Sequence, residues 1–257
     1  MKSAFVLVLA AALLVGCRAP LHTRTPLDPT DTRPLALLQS LVKASTERTS
    51  LNAALRMSLD SEDLRFRRPQ RLAVRSPSDL RIEVLALFGQ IAAVLVTDGE
   101  SYQSMDSDGN FESGPVAQGL LWRIARVALK PEDAVDLLLG VPIPSDDASF
   151  AGAFIDTRGT LSLDFRDANG VLSDRCGFNE AGQLSEFVRF EDDGKVAWEA
   201  TFSDYREVSG SPFAFEVDLK FPEVDATASL QFDHAALGAV LADELFVLRP
   251  RTSAVNQ

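Results

Sequence analysis

From residue 52 onward, apolar and polar positions alternate along the chain with a period of two. Leu55, Met57 and Leu59 are separated by Arg56 and Ser58, Leu80, Ile82 and Val84 by Arg81 and Glu83, and Leu161, Leu163 and Phe165 by Ser162 and Asp164. The pattern recurs in Val196, Trp198, Ala200 and Phe202, in Phe213, Phe215, Val217, Leu219 and Phe221, and in Ala228, Leu230 and Phe232. Side chains of a strand point alternately to its two faces, so each run predicts a strand with one apolar and one polar side. Asp98-Gly99, Asp108-Gly109, Asn169-Gly170, Ala181-Gly182 and Asp193-Gly194 mark the turns between runs. The pattern predicts a mostly-β (α+β) domain of about ten to eleven short antiparallel strands.

Two stretches depart from that period. Pro34 opens a helical pattern in which Leu35, Leu38, Val42 and Ser45 share a face, with Leu41 beside them. Leu120, Leu121, Ile124 and Val127, with Trp122 among them, also keep helical spacing. A short helix then begins at Pro131, carries Glu132 and Asp133 in its first turn, and stops at Gly140. A curved sheet must cover its apolar face, and helices over 35–48 and 117–139 are available for this.

The first sixteen residues read as a secretory signal peptide: Lys2, an apolar run from Ala4 to Val15, and a small residue before Cys17. The run is too short to serve as a permanent membrane span. Leu14-Val15-Gly16-Cys17 resembles the bacterial lipobox, which implies acylation of Cys17 and anchoring by three chains. Arg18, rather than aspartate, follows, and by the same resemblance points to the outer membrane and its periplasmic face. Residues 17–33, with Pro20, Pro26 and Pro29, read as a flexible tether; 34–250 forms the folded domain and 251–257 a C-terminal tail.

Cleavage before Cys17 removes Lys2 and takes the net charge from −12 to −13. So acidic a domain is a poor partner for nucleic acid and for anionic lipid surfaces. The two histidines, His22 and His234, offer neither a histidine-based metal site nor a Ser-His-Asp triad. Asp106-Ser107-Asp108-Gly109-Asn110 imitates a calcium loop, but its glycine comes early and Ala117 stands where a glutamate is needed, so it reads as a hairpin turn. No Gly-x-Ser-x-Gly elbow occurs. No catalytic residue, metal or cofactor is expected, and the chain is read as no enzyme. Cys176 alternates with Leu172, Asp174 and Phe178 and reads as a small buried hydrophobe.

Three segments carry a family resemblance: Leu80 to Tyr102, two strands around an apolar loop; Pro131 to Pro144; and Phe202 to Phe213. In order and spacing they resemble the outer-membrane lipoprotein carrier and localisation (Lol) superfamily, in particular its lipid-anchored, receptor-like branch. The resemblance implies a LolA/LolB-like half-barrel: an incomplete antiparallel β-barrel with a helical lid and an apolar cavity that takes acyl chains. Leu55, Met57, Ile82, Val84, Trp122, Leu163, Trp198, Phe202 and Phe215 are the candidate cavity residues. Leu87 and Phe88 match the loop that delivers acyl chains to the membrane in that branch, with an aromatic where the family often has leucine. The implied partners are the outer membrane, acylated lipoprotein cargo and a soluble periplasmic carrier. Periodicity itself leaves open a packed core, and hence a structural envelope lipoprotein, or a carrier of phospholipid or another hydrophobic ligand.

Overall fold

The computed structural model describes residues 24–117, 119–121 and 129–249. Fourteen strands form one antiparallel sheet that does not close on itself, with order β1-β8-β9-β10-β11-β12-β13-β14-β2-β3-β4-β5-β6-β7. They are β1 (Thr25–Pro26), β2 (Ser50–Asp60), β3 (Arg65–Arg75), β4 (Asp79–Leu85), β5 (Ile91–Thr97), β6 (Ser101–Asp106) and β7 (Phe111–Pro115). The second half is β8 (Ser149–Ile155), β9 (Leu161–Arg166), β10 (Leu172–Phe178), β11 (Leu184–Phe190), β12 (Val196–Val208), β13 (Ser211–Phe221) and β14 (Ala226–Leu237). The described helices are α1 (Arg33–Glu47) and α2 (Pro131–Leu138). This is the mostly-β, incompletely closed barrel with covering helices that the sequence predicts.

The strand count exceeds the predicted ten to eleven for physical reasons. β1 is two residues long, and β7 is an edge strand containing Gly114. In β3, Arg65, Arg67, Arg68, Arg71 and Arg75 with Pro69 mask the inward set Phe66, Gln70, Leu72 and Val74.

Alternation sets the register. In β2, Leu51, Ala53, Leu55, Met57 and Leu59 are buried, while Asn52, Arg56 and Asp60 are exposed. The two halves join where β14 pairs with β2, from Thr227↔Asp60 to Leu237↔Leu51. Four hairpins share one loop chemistry: an Oδ1 of Asp106, Asp156, Asp167 or Asn179 accepts the backbone N–H two and four residues on. In each the fourth residue is a glycine at positive φ, 83° at Gly109 and 81° at Gly170, where a side chain would be strained. Asp106-Asn110 is thus a hairpin turn.

α1 buries Pro34 and Leu41, with Leu37, Leu38 and Ala44 half-buried beside them. Leu35 and Val42 face outward, so the packed face is rotated from the predicted one: both sets satisfy helical spacing, and the sheet selects between them. After β14, residues 239–249 cross the outer face of β3 to β6. Arg75 binds Asp243 at 2.7 Å, Arg81 donates to the Leu245 carbonyl, and Leu248 covers Val94 and Val96. That strap explains why β5 is apolar on both faces.

α2 is fastened to the second half of the sheet by one guanidinium. Arg189 on β11 donates Nη1 to Asp133 Oδ1 (2.6 Å), Nε to Asp174 Oδ1 (2.9 Å) and Nη2 to the Ile143 carbonyl (3.0 Å). Asp174 is fully buried and also accepts the Ser145 N–H. Breaking a buried pair by removing one partner strands the other's charge. Arg189→Met is expected to lower the unfolding free energy by about 3 kcal/mol in urea titration, and the further change Asp174→Leu to recover most of it.

A candidate lipid cavity and its rim

The two halves of the inner face are filled differently. Under β8–β14 the aromatics pack on one another: Phe187 stacks on Trp198 with centroids 5.2 Å apart, and Phe213 meets Phe232 edge-on at 5.2 Å. Leu163, Phe202 and Phe215 belong to this filled half, and Cys176 is fully buried within the same core, its thiol pushed up by burial.

Under β2–β6 the face is left with space. A small apolar pocket of about 50 Å³ lies between the sheet and α2, walled by Leu55, Met57, Leu72, Leu80 and Ile82 from the strands and by Ala134, Leu137 and Leu138 from the helix. Beside it a larger cavity of about 450 Å³ is bounded by Met57, Leu59, Phe66, Ile82, Val84, Ala93 and Leu95. Asp106, Asn110 and Glu112 supply polar groups at its edge. That volume falls within the roughly 300–1,000 Å³ of ligand-sized sites, and the mostly apolar lining suits a hydrocarbon.

Of the predicted cavity residues, the structure gathers Leu55, Met57, Ile82 and Val84 around these spaces and places Leu163, Trp198, Phe202 and Phe215 in the filled half. Trp122 and Cys17 lie outside the described residues. Leu59, which the alternation places on an apolar strand face, and Phe66, Gln70, Ala93 and Leu95 were not among the predicted cavity residues. Their signal is register: Leu59 pairs with Phe66, Gln70 and Ala93 with Val84, and Leu95 with Ile82.

The strands that wall the larger cavity run directly into an exposed apolar tip. Between β4 and β5, Leu87 is 79% and Phe88 95% exposed, and Ile91 is exposed behind them. The loop is closed by Ala86 N–H to Gln90 O at 2.8 Å and Gly89 N–H to Ala86 O at 3.2 Å. Phe88 sits at φ 68°, a left-handed conformation that costs a non-glycine residue about 1 kcal/mol or more. By strand direction this tip shares a rim with the β2–β3 and β6–β7 turns, the rim at which the larger cavity lies.

On the far side of α2 from the cavity, burial pushes the Asp136 carboxyl up to about 6, and Asp133 adds repulsion that Arg189 partly offsets. The native state therefore holds this proton more tightly than the unfolded chain, whose value is the ordinary 3.8. The resulting stabilisation is complete below about pH 4 and is lost as pH rises through about 6. We expect the unfolding free energy from urea titration to fall by about 1 kcal/mol between pH 5 and pH 7 for this partly solvated group, and Asp136→Asn to flatten that slope.

No protein-family model and no curated protein matches the sequence. Solved structures do match. A DUF1329 family protein from Desulfovibrio piger aligns over 86% of this chain and 98% of its own at TM-score 0.61 and 11% identity. A LolA superfamily protein from Nitrosomonas europaea aligns over 82% and 97% at 0.56 and 8% identity. A Vibrio parahaemolyticus domain described as an outer membrane lipoprotein-sorting protein aligns over 82% and 95% at 0.53 and 10% identity. At such identities the likeness is one of architecture, and the chain has the LolA-like half-barrel fold.

Proposed function

We propose that this chain is an outer-membrane lipoprotein, anchored through acylated Cys17, that shelters the acyl chains of other lipoproteins and passes them into the membrane. The observation that carries this reading is continuity: the apolar walls Ile82, Val84 and Ala93 of an open 450 Å³ cavity belong to the same hairpin that ends in Leu87 and Phe88. An apolar pair held out in water is costly, and a membrane surface is the environment that removes the cost. Each methylene moved from water into the cavity contributes about 0.8 kcal/mol, so retention needs no charged contact. A receiving bilayer offers chains the same gain, and transfer is then set by access at the tip.

The reading is tested by mixing the protein with a triacylated lipoprotein and, separately, with phospholipid, followed by native mass spectrometry. A one-to-one lipoprotein complex that disappears when the acyl chains are removed is expected. Phospholipid binding alone would reassign the protein to general lipid transport, and no binding of either would indicate a structural role.

The tip gives a sharper test. Phe88→Gly removes the ring and relieves the left-handed backbone, so the unfolding free energy should stay level or rise by up to about 1 kcal/mol. Complex formation should be retained, while transfer of cargo to vesicles should drop. Loss of binding and transfer in equal measure, or of neither, would sink the assigned role.

A further inference from the structure

Charge is distributed unevenly between the two ends of the sheet. By strand direction, the rim that carries the Leu87-Phe88 tip also holds the β2–β3, β6–β7, β9–β10, β11–β12 and β13–β14 turns and residues 145–148, which lead into β8. Glu62 and Asp63 stand on one side of the tip and Asp108 on the other, all three exposed and without an ion pair among the described residues. Every other turn of the rim adds at least one carboxylate, up to the run Glu191-Asp192-Asp193. Lys195 is the one cation in those turns, and Asp193 takes it. At the strand ends Arg65 is held by Asp60 and Arg166 by the Gly170 carbonyl, while Arg67 and Arg68 are set back along β3. Among the described turns of this rim, the tip's own loop, residues 86–90, is the one without a charge.

The opposite rim differs. Its turns include Ser76-Pro77-Ser78 and Ser209-Gly210, which are uncharged, and Asp156, which is paired with Arg158. A net charge of −12 requires exposed acids somewhere on the molecule. It does not require them to surround Phe88, the one ring among the described residues that stands almost wholly in water.

Neighbouring hairpins of an antiparallel sheet lie about 10 Å apart, two strand spacings, which is also about the Debye length at 0.1 M salt. Glu62, Asp63 and Asp108 are therefore near enough to act on any surface the tip enters. A bilayer with uncharged or zwitterionic head groups accepts Leu87 and Phe88 by burial alone. An anionic bilayer offers the same burial but sets its negative surface potential against the flanking carboxylates. Burial of apolar area is non-directional and blind to head-group charge, so the rim is the part of this contact that can tell one lipid surface from another.

We infer that the carboxylate rim makes the tip selective for lipid surfaces without net charge and turns it away from anionic ones. This rests on the proposed entry of the tip into a membrane and specifies the head groups it meets there. The carboxylates hold no ligand. They act by repulsion, so the effect grows with the anionic fraction of the bilayer and fades as salt screens it.

The chain from Cys17 onward keeps every described residue and, made without acylation, meets vesicles through the protein surface alone. Its co-sedimentation is measured with vesicles of phosphatidylcholine and with vesicles that are about one-third phosphatidylglycerol. Binding to phosphatidylcholine is expected, and Phe88→Gly should remove most of it. The anionic vesicles should bind about tenfold more weakly at low salt, and about 1 M salt should bring the two within about twofold. The triple variant Glu62→Gln, Asp63→Asn, Asp108→Asn should bring them within about threefold at low salt. Equal or tighter binding to the anionic vesicles, a difference that salt leaves untouched, or a triple variant that keeps the full difference would overturn the inference while the membrane role of the tip stands. Binding to neither vesicle, or binding indifferent to Phe88→Gly, would overturn both and leave the rim to a basic protein surface.

Discussion

A sheet of fourteen strands with one apolar face has a large inner surface to fill, and the molecule is organised around that demand. Curling brings the apolar face onto itself, but the enclosed space must then be filled or left open. The C-terminal half fills it with large rings, Phe187 on Trp198 and Phe213 against Phe215 and Phe232. The N-terminal half faces inward chiefly with leucine, methionine, isoleucine, valine and alanine, with Phe66 on the cavity wall. The cavity lies on the side where, among the described residues, no ring packs on another, and its location follows from composition along the strands.

Coverage by α2 has to be held in place, because an eight-residue helix is not stable by itself. Two arginines do this from opposite ends. Arg189 takes Asp133 at the first turn, and Arg48 donates to the Leu139 and Gly140 carbonyls just past the last, where the helix leaves unsatisfied acceptors. Both bonds reach to distant strands or to the end of α1, so the lid, the helix at the base of the sheet and the filled half form one connected unit. The open half is thus bordered by rigid structure on the side of α2 and by the β2–β3, β4–β5 and β6–β7 turns on the other.

Much of this was legible in the sequence, and the limits of legibility are physical. Period-two runs such as Leu51–Leu59 and Phe213–Phe221 identify strands because burial acts on every second side chain. β3 was obscured because arginines and Pro69 interrupt its alternation, with Arg68 and Gln70 standing at inward positions between Phe66 and Leu72, and β5 because the strap at Leu248 buries its second face, a contact between residues far apart in the chain. For the site, alternation told which residues face inward but not which half of the inner face would be packed. Trp198 and Phe215 have the same signature as Met57 and Ile82, and only the pairing of neighbours separates filler from wall. The family likeness located the Leu87-Phe88 tip, while the left-handed φ at Phe88 was invisible before the structure.

The strained tip carries the argument beyond packing. Folding alone would select against it, because a glycine at 88 would relax the loop. Departures from local optimality of this kind concentrate where a protein meets something else. Phe88 lies where the apolar wall of β4 and β5 ends in solvent. A chain entering past it would bury hydrocarbon along that wall. Burial then sets the affinity, and Phe88 governs where the chain can leave.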